Sequence, residues 1–425
     1  MEEVRAGSPQ IRVEFAGQIA LNVITPQIID NLSRTLARAS AENLRVSARG
    51  GNSTADKFQP PLDVDLNIDL TQLNEIIEYE PANLTVTVEA GITMGVLQQA
   101  LAAHQQFLPL DPPQPSRATL GGIIATNSYG PLRLRYGTVR DWLIGARVVL
   151  IDGTVVRGGG KVVKNVAGYD LPKLLVGSYG TLGVVAEATF KLSPLPPVSR
   201  TLVASADAPG VLRHLLASLL RWTPLPNAAE MLAPGVAQSV YPEAPAGQYL
   251  FLAQVAGSMA TVERQMRDGA ALCRDNGLLV AEALVGDAEL PVWARVRDLP
   301  AALGGPDTLV AEMRLLPSDL DEALREIPAI ASRYEAEYAA FTRAGQSVWF
   351  ALNGEAGAMP ALVDEMRKWA GARGGYLVVQ RYPLSLKGLV DIWGPNRTDF
   401  QIMQRLKAQF DPQDLLNRGT FVGSM

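Results

Sequence analysis

Three glycine-bearing segments in the first half of the chain carry the residue types of a phosphate cradle. They read Ser47-Ala48-Arg49-Gly50-Gly51-Asn52-Ser53, Ala118-Thr119-Leu120-Gly121-Gly122 and Gly177-Ser178-Tyr179-Gly180-Thr181-Leu182-Gly183. Glycine lets backbone N–H groups come close to a pyrophosphate, and Asn52, Ser53 and Thr119 add side-chain donors beside them. One such segment alone is an ordinary tight turn; the three together suit a long, extended dinucleotide. Spacing excludes two other nucleotide signatures. Gly177, Gly180 and Gly183 fall as G-x-x-G-x-x-G before a strand, not as G-x-G-x-x-G after one. Gly158-Gly159-Gly160-Lys161 is followed by Val162, where a P-loop needs Ser or Thr.

The flanking sequence predicts elements that hold these segments. Thr25-Pro26 is a helix start, with Ile28, Ile29, Leu32, Leu36 and Ala39 on one face. Arg45 to Ala48 reads as a strand running into the first segment. Val64, Leu66, Ile68 and Leu70 alternate with polar residues, as do Val86 and Val88, so both stretches are half-buried strands. Thr93 caps a helix carrying Met94, Leu97 and Leu101. Strands follow over Leu143 to Leu150, Val155-Val156 and Val184 to Leu192. Ser193-Pro194-Leu195-Pro196-Pro197 is a linker signal and marks a domain boundary.

Beyond it, strands near 202–205, 249–255, 309–315, 348–352 and 376–381 alternate with helices near 211–220, 262–276, after Ser318 (with Asp321 at the capping-box position) and 361–370. This is an α+β pattern, read as two similar halves without a visible sequence repeat. The domains are therefore a 1–20 N-terminal segment, a 21–197 cofactor domain, a 198–390 α+β cap and a 391–425 segment packing back on the first domain.

The composition narrows the function classes. The chain has 425 residues, 48% hydrophobic and 19% charged, with a net charge of −5. That is enough for two or three domains with real cores and offers no basic field for nucleic acid or anionic lipid. A single cysteine, Cys273, excludes an internal disulfide and an iron–sulfur cluster held by this chain. Two histidines, His104 and His214, make no multi-histidine metal site. The acidic start Met1-Glu2-Glu3 lacks the pattern of a signal peptide, and no apolar run reaches transmembrane length, so a cytoplasmic location is expected, with any membrane contact made through partners.

Residues from about Val23 to Pro197 resemble the FAD-binding PCMH-type domain of the vanillyl-alcohol oxidase superfamily. The marks are Arg49-Gly50-Gly51-Asn52-Ser53, Val88-Glu89-Ala90-Gly91, Thr119-Leu120-Gly121-Gly122, Tyr136-Gly137 with Arg140-Asp141, and Gly180-Thr181-Leu182-Gly183. Within that superfamily, Lys164-Asn165-Val166-Ala167-Gly168-Tyr169-Asp170-Leu171 is similar to the signature of glycolate oxidase FAD-binding subunits of the GlcE type. Phe410-Asp411-Pro412 and Leu416-Asn417-Arg418-Gly419 resemble their closing segment. The resemblance implies a two-subdomain FAD-binding domain followed by an α+β cap.

It also implies site residues. Arg49, Gly50, Gly51, Asn52 and Ser53 would meet the FAD pyrophosphate, with Thr119, Leu120, Gly121 and Gly122 approaching from the second segment. Asn127, Ser128 and Gly130 would lie toward the flavin and Gly183 and Val184 toward the adenine, with Gly180 and Thr181 also among the cofactor-binding residues. Arg140 and Asp141 either brace these loops as an ion pair or touch the cofactor. The proline run at Pro112 either stiffens the approach to the flavin or is a surface connection. Asn52 and Ser53 stand where relatives tether the flavin through histidine, which implies non-covalent FAD.

No catalytic base is identified. Relatives that oxidise 2-hydroxy acids use a histidine cluster, whereas His214 reads as a solvated helix residue and His104 as a helix end. Arg381, Lys387 and Arg418 are candidates for a substrate carboxylate, Tyr169 and Trp393 for flavin neighbours, each with an ordinary surface or core role as alternative. The expected function is the FAD-binding subunit of a glycolate oxidase-like complex. It would oxidise glycolate to glyoxylate or relay the electrons to an iron–sulfur partner, beside a catalytic flavoprotein subunit. The alternatives are a self-sufficient FAD dehydrogenase of a hydroxy acid or sugar acid and a non-catalytic assembly subunit. A UDP-N-acetylenolpyruvylglucosamine reductase lacks its signature here.

Overall fold

The computed structural model describes residues 14–15, 18–19, 23–53, 63–160, 170–396 and 398–425. Its α+β architecture falls into two sheet systems and a third, larger one. The first is a three-stranded parallel sheet of Val23–Ile24, Leu66–Asp69 and Val46–Arg49, with Leu66–Asp69 central. The helix Ile29–Ala41 buries Ile29, Leu32, Leu36 and Ala39 against it, the face set by the i, i+3, i+4 spacing. This helix begins later than Thr25-Pro26 predicts: Ile28 is its N-cap, with no side-chain cap, and Ile28 is exposed.

The second sheet is antiparallel, in the order 155–159, 143–149, 184–191, 85–89, 76–80. Its apolar side meets the helix Met94–Ala102, which starts at Thr93, whose hydroxyl accepts from Val96 N, and buries Met94, Leu97 and Leu101. Between sheet and core sits the short helix Leu120–Thr126, N-capped by Thr119. The proline cluster is not a loose linker. Ser193–Pro194 pairs with Gln106–Phe107, and the strand Val198–Ala206 starts immediately after it.

The third system is an antiparallel eight-stranded sheet, in the order 279–285, 198–206, 249–257, 228–232, 337–343, 347–353, 309–314, 376–381. Numbering each half's strands from first to fourth, the order is 4-1-3-2 followed by 2-3-1-4. The two halves are therefore mirrored about the contact of 228–232 with 337–343. Each half runs strand, helix, strand, strand, helix, strand, a split βαβ arrangement, with the helix Pro234–Val240 added in the first. This is the duplication that the sequence shows only as alternation. The strands 228–232, 279–285 and 337–343 escape the sequence reading because Ala-Ala-Glu-Met-Leu and Glu-Tyr-Ala-Ala-Phe lack a clean period of two. The helix expected to start at Ser318 starts at Leu320 instead, with Asp319 as N-cap.

The helices 212–219, 259–275, 320–333 and 359–371 cover the face bearing Leu309, Ala311 and Met313. Val310 joins a second core with Phe341, Trp349 and the helices 234–240 and 289–302 on the opposite face. On that side one arginine attracts two carboxylates, the buried Glu230 and the half-buried Asp111. Glu230 is 0% exposed and Arg343 1% exposed, their Oε1 and Nη1 atoms 3.8 Å apart. Glu230 also accepts from Ala344 N at 3.0 Å, and Asp111, from the first region, accepts Leu132 N at 3.0 Å. Burial pushes both carboxyls up to about 7, outweighing the attraction of Arg343.

These groups hold protons in the folded state that the unfolded chain releases above its ordinary carboxylate range. Their contribution to stability is full below that range and is lost as pH rises through about 7. The thermal unfolding midpoint is expected to fall from about pH 5 to about pH 8, and Glu230→Gln, which keeps the Oε1 acceptor, to flatten that fall. An unchanged pH dependence in E230Q refutes this assignment.

Candidate functional site

The strand Val46–Arg49 delivers the first glycine segment to the rim of an elongated cleft of about 1250 Å³, partly open to solvent. Arg49, Gly50, Gly51, Asn52, Ser53, Thr119, Gly121, Gly122, Gly180, Gly183 and Val184 line it, so residues far apart in sequence converge there. Tyr179, Asn417 and Thr420 line it as well.

The glycines are required first by the approach of one loop to another. A Cβ on Gly51 would stand 1.8 Å from the Arg117 carbonyl oxygen, and one on Gly50 2.1 Å from Thr119 Oγ1. A Cβ on Gly180, whose φ is +70°, would stand 2.5 Å from Asn417 Nδ2. Asn417 is the clasp. Its Oδ1 accepts Ala48 N at 2.9 Å, and its Nδ2 donates to Tyr179 O at 2.8 Å, joining the first and third segments.

Donor supply differs among the segments. The N–H groups of Gly50, Gly51, Asn52 and Ser53 donate to no acceptor among the described residues, and Asn52 turns through a left-handed φ of 53°. Four adjacent free donors in a curved backbone form a concavity suited to a pyrophosphate. The second segment is largely spent within the protein. Leu120 N donates to Ile92 O and Gly121 N to Ala90 O, while Gly122 N reaches Thr119 Oγ1 at a weak 3.4 Å. What it offers the cleft is the Thr119 hydroxyl and the Gly122 edge.

Several expected residues lie elsewhere. Leu120 and Pro112 are buried away from the cleft, and the buried Thr181 hydroxyl donates to Ser178 O. Gly130 is buried, where a Cβ would stand 2.0 Å from Asp111 O. Arg140 and Asp141 are exposed and outside the cleft, and form no ion pair with each other among the described residues. Asp141 instead accepts Thr138 N at 2.8 Å, closing the capping box of the short helix Val139–Trp142. Residues 164–169, with Tyr169, lie outside the described residues, as do most of the 1–20 segment and the P-loop test position Lys161.

Asn127 and Ser128 line a second pocket of about 450 Å³, with Tyr129, Glu312, Arg314, Trp349, Gln380 and Pro300. Thr126 and Tyr179 border both spaces, so the pocket opens off the cleft. Glu312 and Arg314, two apart on one strand, point to the same side, while Leu309, Ala311 and Met313 enter the core. Arg314 Nε donates to Glu312 Oε1 at 2.9 Å, Gln380 Nε2 lies 3.4 Å from Glu312 Oε2, and the Tyr129 hydroxyl donates to Glu312. Arg133 stacks its guanidinium 4.1 Å from the Tyr129 ring centre.

Burial pushes the Tyr129 phenol up to about 12, so it is neutral near pH 7. Burial opposes the Glu312 charge, but Arg314, Tyr129 and Arg133 together hold its carboxyl below the usual range. A carboxylate backed by a phenol is a proton-accepting pair, and no histidine takes part. His104 is exposed with its ring edge-on to Tyr79 at 5.2 Å, and His214 is exposed on the helix Leu212–Leu219. Arg381 donates to Ala301 O and Leu303 O, Lys387 is exposed, and Arg418 pairs with Asp414 at 3.2 Å. Trp393 packs edge-on against Tyr179 at 5.1 Å. The signal for Glu312 and Arg314 is present in the sequence, as two charges interrupting an apolar strand.

Comparison with known proteins agrees with this geometry. Residues 20–159 match the FAD binding domain family, and residues 226–378 with 395–421 match the C-terminal domain of FAD linked oxidases. Glycolate oxidase subunit GlcD of Bacillus subtilis (strain 168) is 29% identical over 93% of this chain and 88% of its own. Glycolate oxidase subunit GlcE of Escherichia coli (strain K12) is 35% identical over 44% of this chain, a match spanning about half of that subunit, 53%. D-lactate dehydrogenase of Archaeoglobus fulgidus is 35% identical over 40% of this chain and 38% of its own. A solved alkyldihydroxyacetonephosphate synthase shares the fold, with a TM-score of 0.72 at 17% identity over 93% of this chain and 76% of that one. FAD is the cofactor, and the donor concavity at Gly50 to Ser53 fits its pyrophosphate.

Gly51→Ala is expected to force the first two segments apart at a cost of about 1–3 kcal/mol. The purified variant should retain its fold by circular dichroism and lose most of its flavin, measured as the flavin-to-protein ratio; an unchanged ratio contradicts the close-approach argument.

Proposed function

We propose that this chain, an FAD-dependent oxidoreductase that matches the FAD binding domain and the C-terminal domain of FAD linked oxidases, oxidises a small 2-hydroxy acid, such as glycolate to glyoxylate. The observation that carries the proposal is the pocket of Tyr129, Glu312 and Arg314, which opens off the glycine cleft at Thr126 and Tyr179. The glycolate oxidase and D-lactate dehydrogenase relatives support the substrate class.

Gly50 to Ser53, Thr119 and Gly122 would hold FAD without a covalent bond, and the bound cofactor would supply a hydride acceptor for C2 of the substrate. The remaining steps belong to the chain. Arg314 orients the substrate carboxylate. Tyr129 accepts the hydroxyl proton on its oxygen while passing its own phenolic proton to Glu312, so one proton enters the protein for each hydride that leaves. Trp349, Pro113 and Pro300 form the apolar part of the pocket wall.

A second reading is favoured by the match to subunit GlcE. There the chain is one subunit of a complex, beside a catalytic flavoprotein and an iron–sulfur subunit, and relays electrons through its FAD. No helix among the described residues is long and apolar enough to cross a membrane, and we place the protein in the cytoplasm, reaching a membrane only through such partners.

Anaerobic addition of glycolate or D-lactate to the FAD-loaded chain should bleach its visible flavin absorbance. Glu312→Gln is expected to keep the flavin and slow bleaching by about 100-fold or more. The wild-type rate should fall only as pH drops below the ordinary carboxylate range, because the Glu312 carboxyl lies below its usual value. A wild-type flavin that no hydroxy acid bleaches overturns oxidation by this chain and leaves the electron-relay reading.

A further inference from the structure

Resting on the hydroxy-acid reading of this pocket, we propose that the pocket selects by charge, taking a 2-hydroxy monocarboxylate and rejecting a 2-hydroxy dicarboxylate. The argument is a count of the ionised groups on every element that faces the space. The strand Leu309–Arg314 contributes one carboxylate, Glu312, and one guanidinium, Arg314. The helix Arg133–Tyr136 contributes the Arg133 guanidinium, stacked behind Tyr129 and close enough to lower the Glu312 carboxyl. Arg133 Nη1 is buried with no hydrogen-bond partner among the described residues.

The other walls add no net charge. The strand Tyr376–Arg381 presents the neutral Gln380, and Arg381 turns to the carbonyls of Ala301 and Leu303. The helix Glu289–Ala302 presents Pro300, and its Asp298 is paired with Arg297 at 2.7 Å while accepting Gln114 N. The strand Ser347–Asn353 presents Trp349, with the Ser347 hydroxyl 3.5 Å from that of Tyr129. The first region adds Asn127, Ser128, Tyr129 and Tyr179, whose phenol burial holds neutral.

Arg133, behind Tyr129 and outside the lining, offsets the Glu312 charge, and Arg314 is the one guanidinium among the described lining residues that a substrate carboxylate can meet. One substrate carboxylate balances that guanidinium. A second carboxylate would enter a space bordered by Pro113, Pro300, Trp349 and Glu312 with no further cation among the described lining residues, and an unpaired charge there is unfavourable. The hydroxyl of the bound acid meets Tyr129, and the rest of the molecule meets the apolar walls.

The test titrates the FAD-loaded chain with oxo acids, which cannot be oxidised at C2, and reads binding by calorimetry and by perturbation of the flavin spectrum. Pyruvate and oxamate should bind, and 2-oxoglutarate should bind about ten-fold or more weakly. Arg314→Gln should weaken pyruvate binding by about ten-fold or more. Gln380→Arg, which adds a cation without removing one, should raise the affinity for 2-oxoglutarate relative to pyruvate. The proposal is overturned if 2-oxoglutarate binds as tightly as pyruvate. It is equally overturned if no oxo acid binds, or if Q380R leaves the preference unchanged. Selective binding without bleaching by glycolate or D-lactate supports the pocket and removes oxidation by this chain. Bleaching by D-2-hydroxyglutarate as fast as by D-lactate keeps oxidation and removes the charge rule.

Discussion

The hydrogen bonds of Asn417 are the constraint on which the cofactor cleft depends. One amide, delivered from the end of the chain, accepts the N–H of Ala48 and donates to the carbonyl of Tyr179. It thereby sets the distance between a strand edge and a loop that are remote in sequence. The segment bearing it is itself anchored. The buried Asp411 accepts Leu415 N and Leu416 N, and the buried Lys407 donates to Thr181 O and Leu416 O while pairing with Asp411. Burying a charge is costly unless it is paired and hydrogen-bonded, and here both conditions hold. The pair therefore acts as a rivet between the closing segment and the third glycine loop, and the cleft inherits its width from it.

Given that width, the glycines follow as a steric necessity. Gly51 lies against the Arg117 carbonyl and Gly50 against the Thr119 side chain, so a Cβ at either would separate the first two segments. The donors of Gly50 to Ser53, which meet no acceptor among the described residues, then appear where the first segment turns away from its strand. These half-buried donors face a cleft that is partly open to solvent, where an anion can replace water as their acceptor. Packing between loops and affinity for a phosphate are two consequences of one geometry.

The glycine segments, their polar neighbours and the strands feeding them were legible because each carries a local signal: a special backbone position, a period of two, or a cap such as Thr93. The same local logic misplaced Arg140 and Asp141. Their adjacency suggests a pair, yet helix geometry turns Asp141 back onto Thr138. It also misread the prolines after Leu192, since Pro194 can sit on the edge of a two-residue strand pair as readily as in a linker. The two charges Glu312 and Arg314 stand out in an apolar strand, but their pairing with Tyr129 was out of reach for another reason. They lie 183 residues apart across the Tyr129–Glu312 bond, and their chemistry exists only once the eight-stranded sheet is laid against the first region.

That assembly also explains how the site can manage a proton without histidine. A lone buried carboxylate would be driven toward its neutral form, as Glu230 is, where Arg343 stands 3.8 Å away and burial prevails. Glu312 is as deeply placed, but it sits 2.9 Å from Arg314 and receives the Tyr129 hydroxyl, and its charge persists. The two glutamates share a sheet and differ in how well they are paired. Both glutamates accept hydrogen bonds, so what separates them is the attraction of a guanidinium in direct contact, Arg314 at 2.9 Å for Glu312 against Arg343 at 3.8 Å for Glu230. The phenol completes the arrangement, because a neutral Tyr129 can accept and donate at the same oxygen. It stands between the acid pocket and Glu312, two residues from Asn127 at the end of the helix that begins with the second glycine segment. Cofactor cradle and proton acceptor are thus joined through a few consecutive residues, and a shift of the glycine segments would move both together.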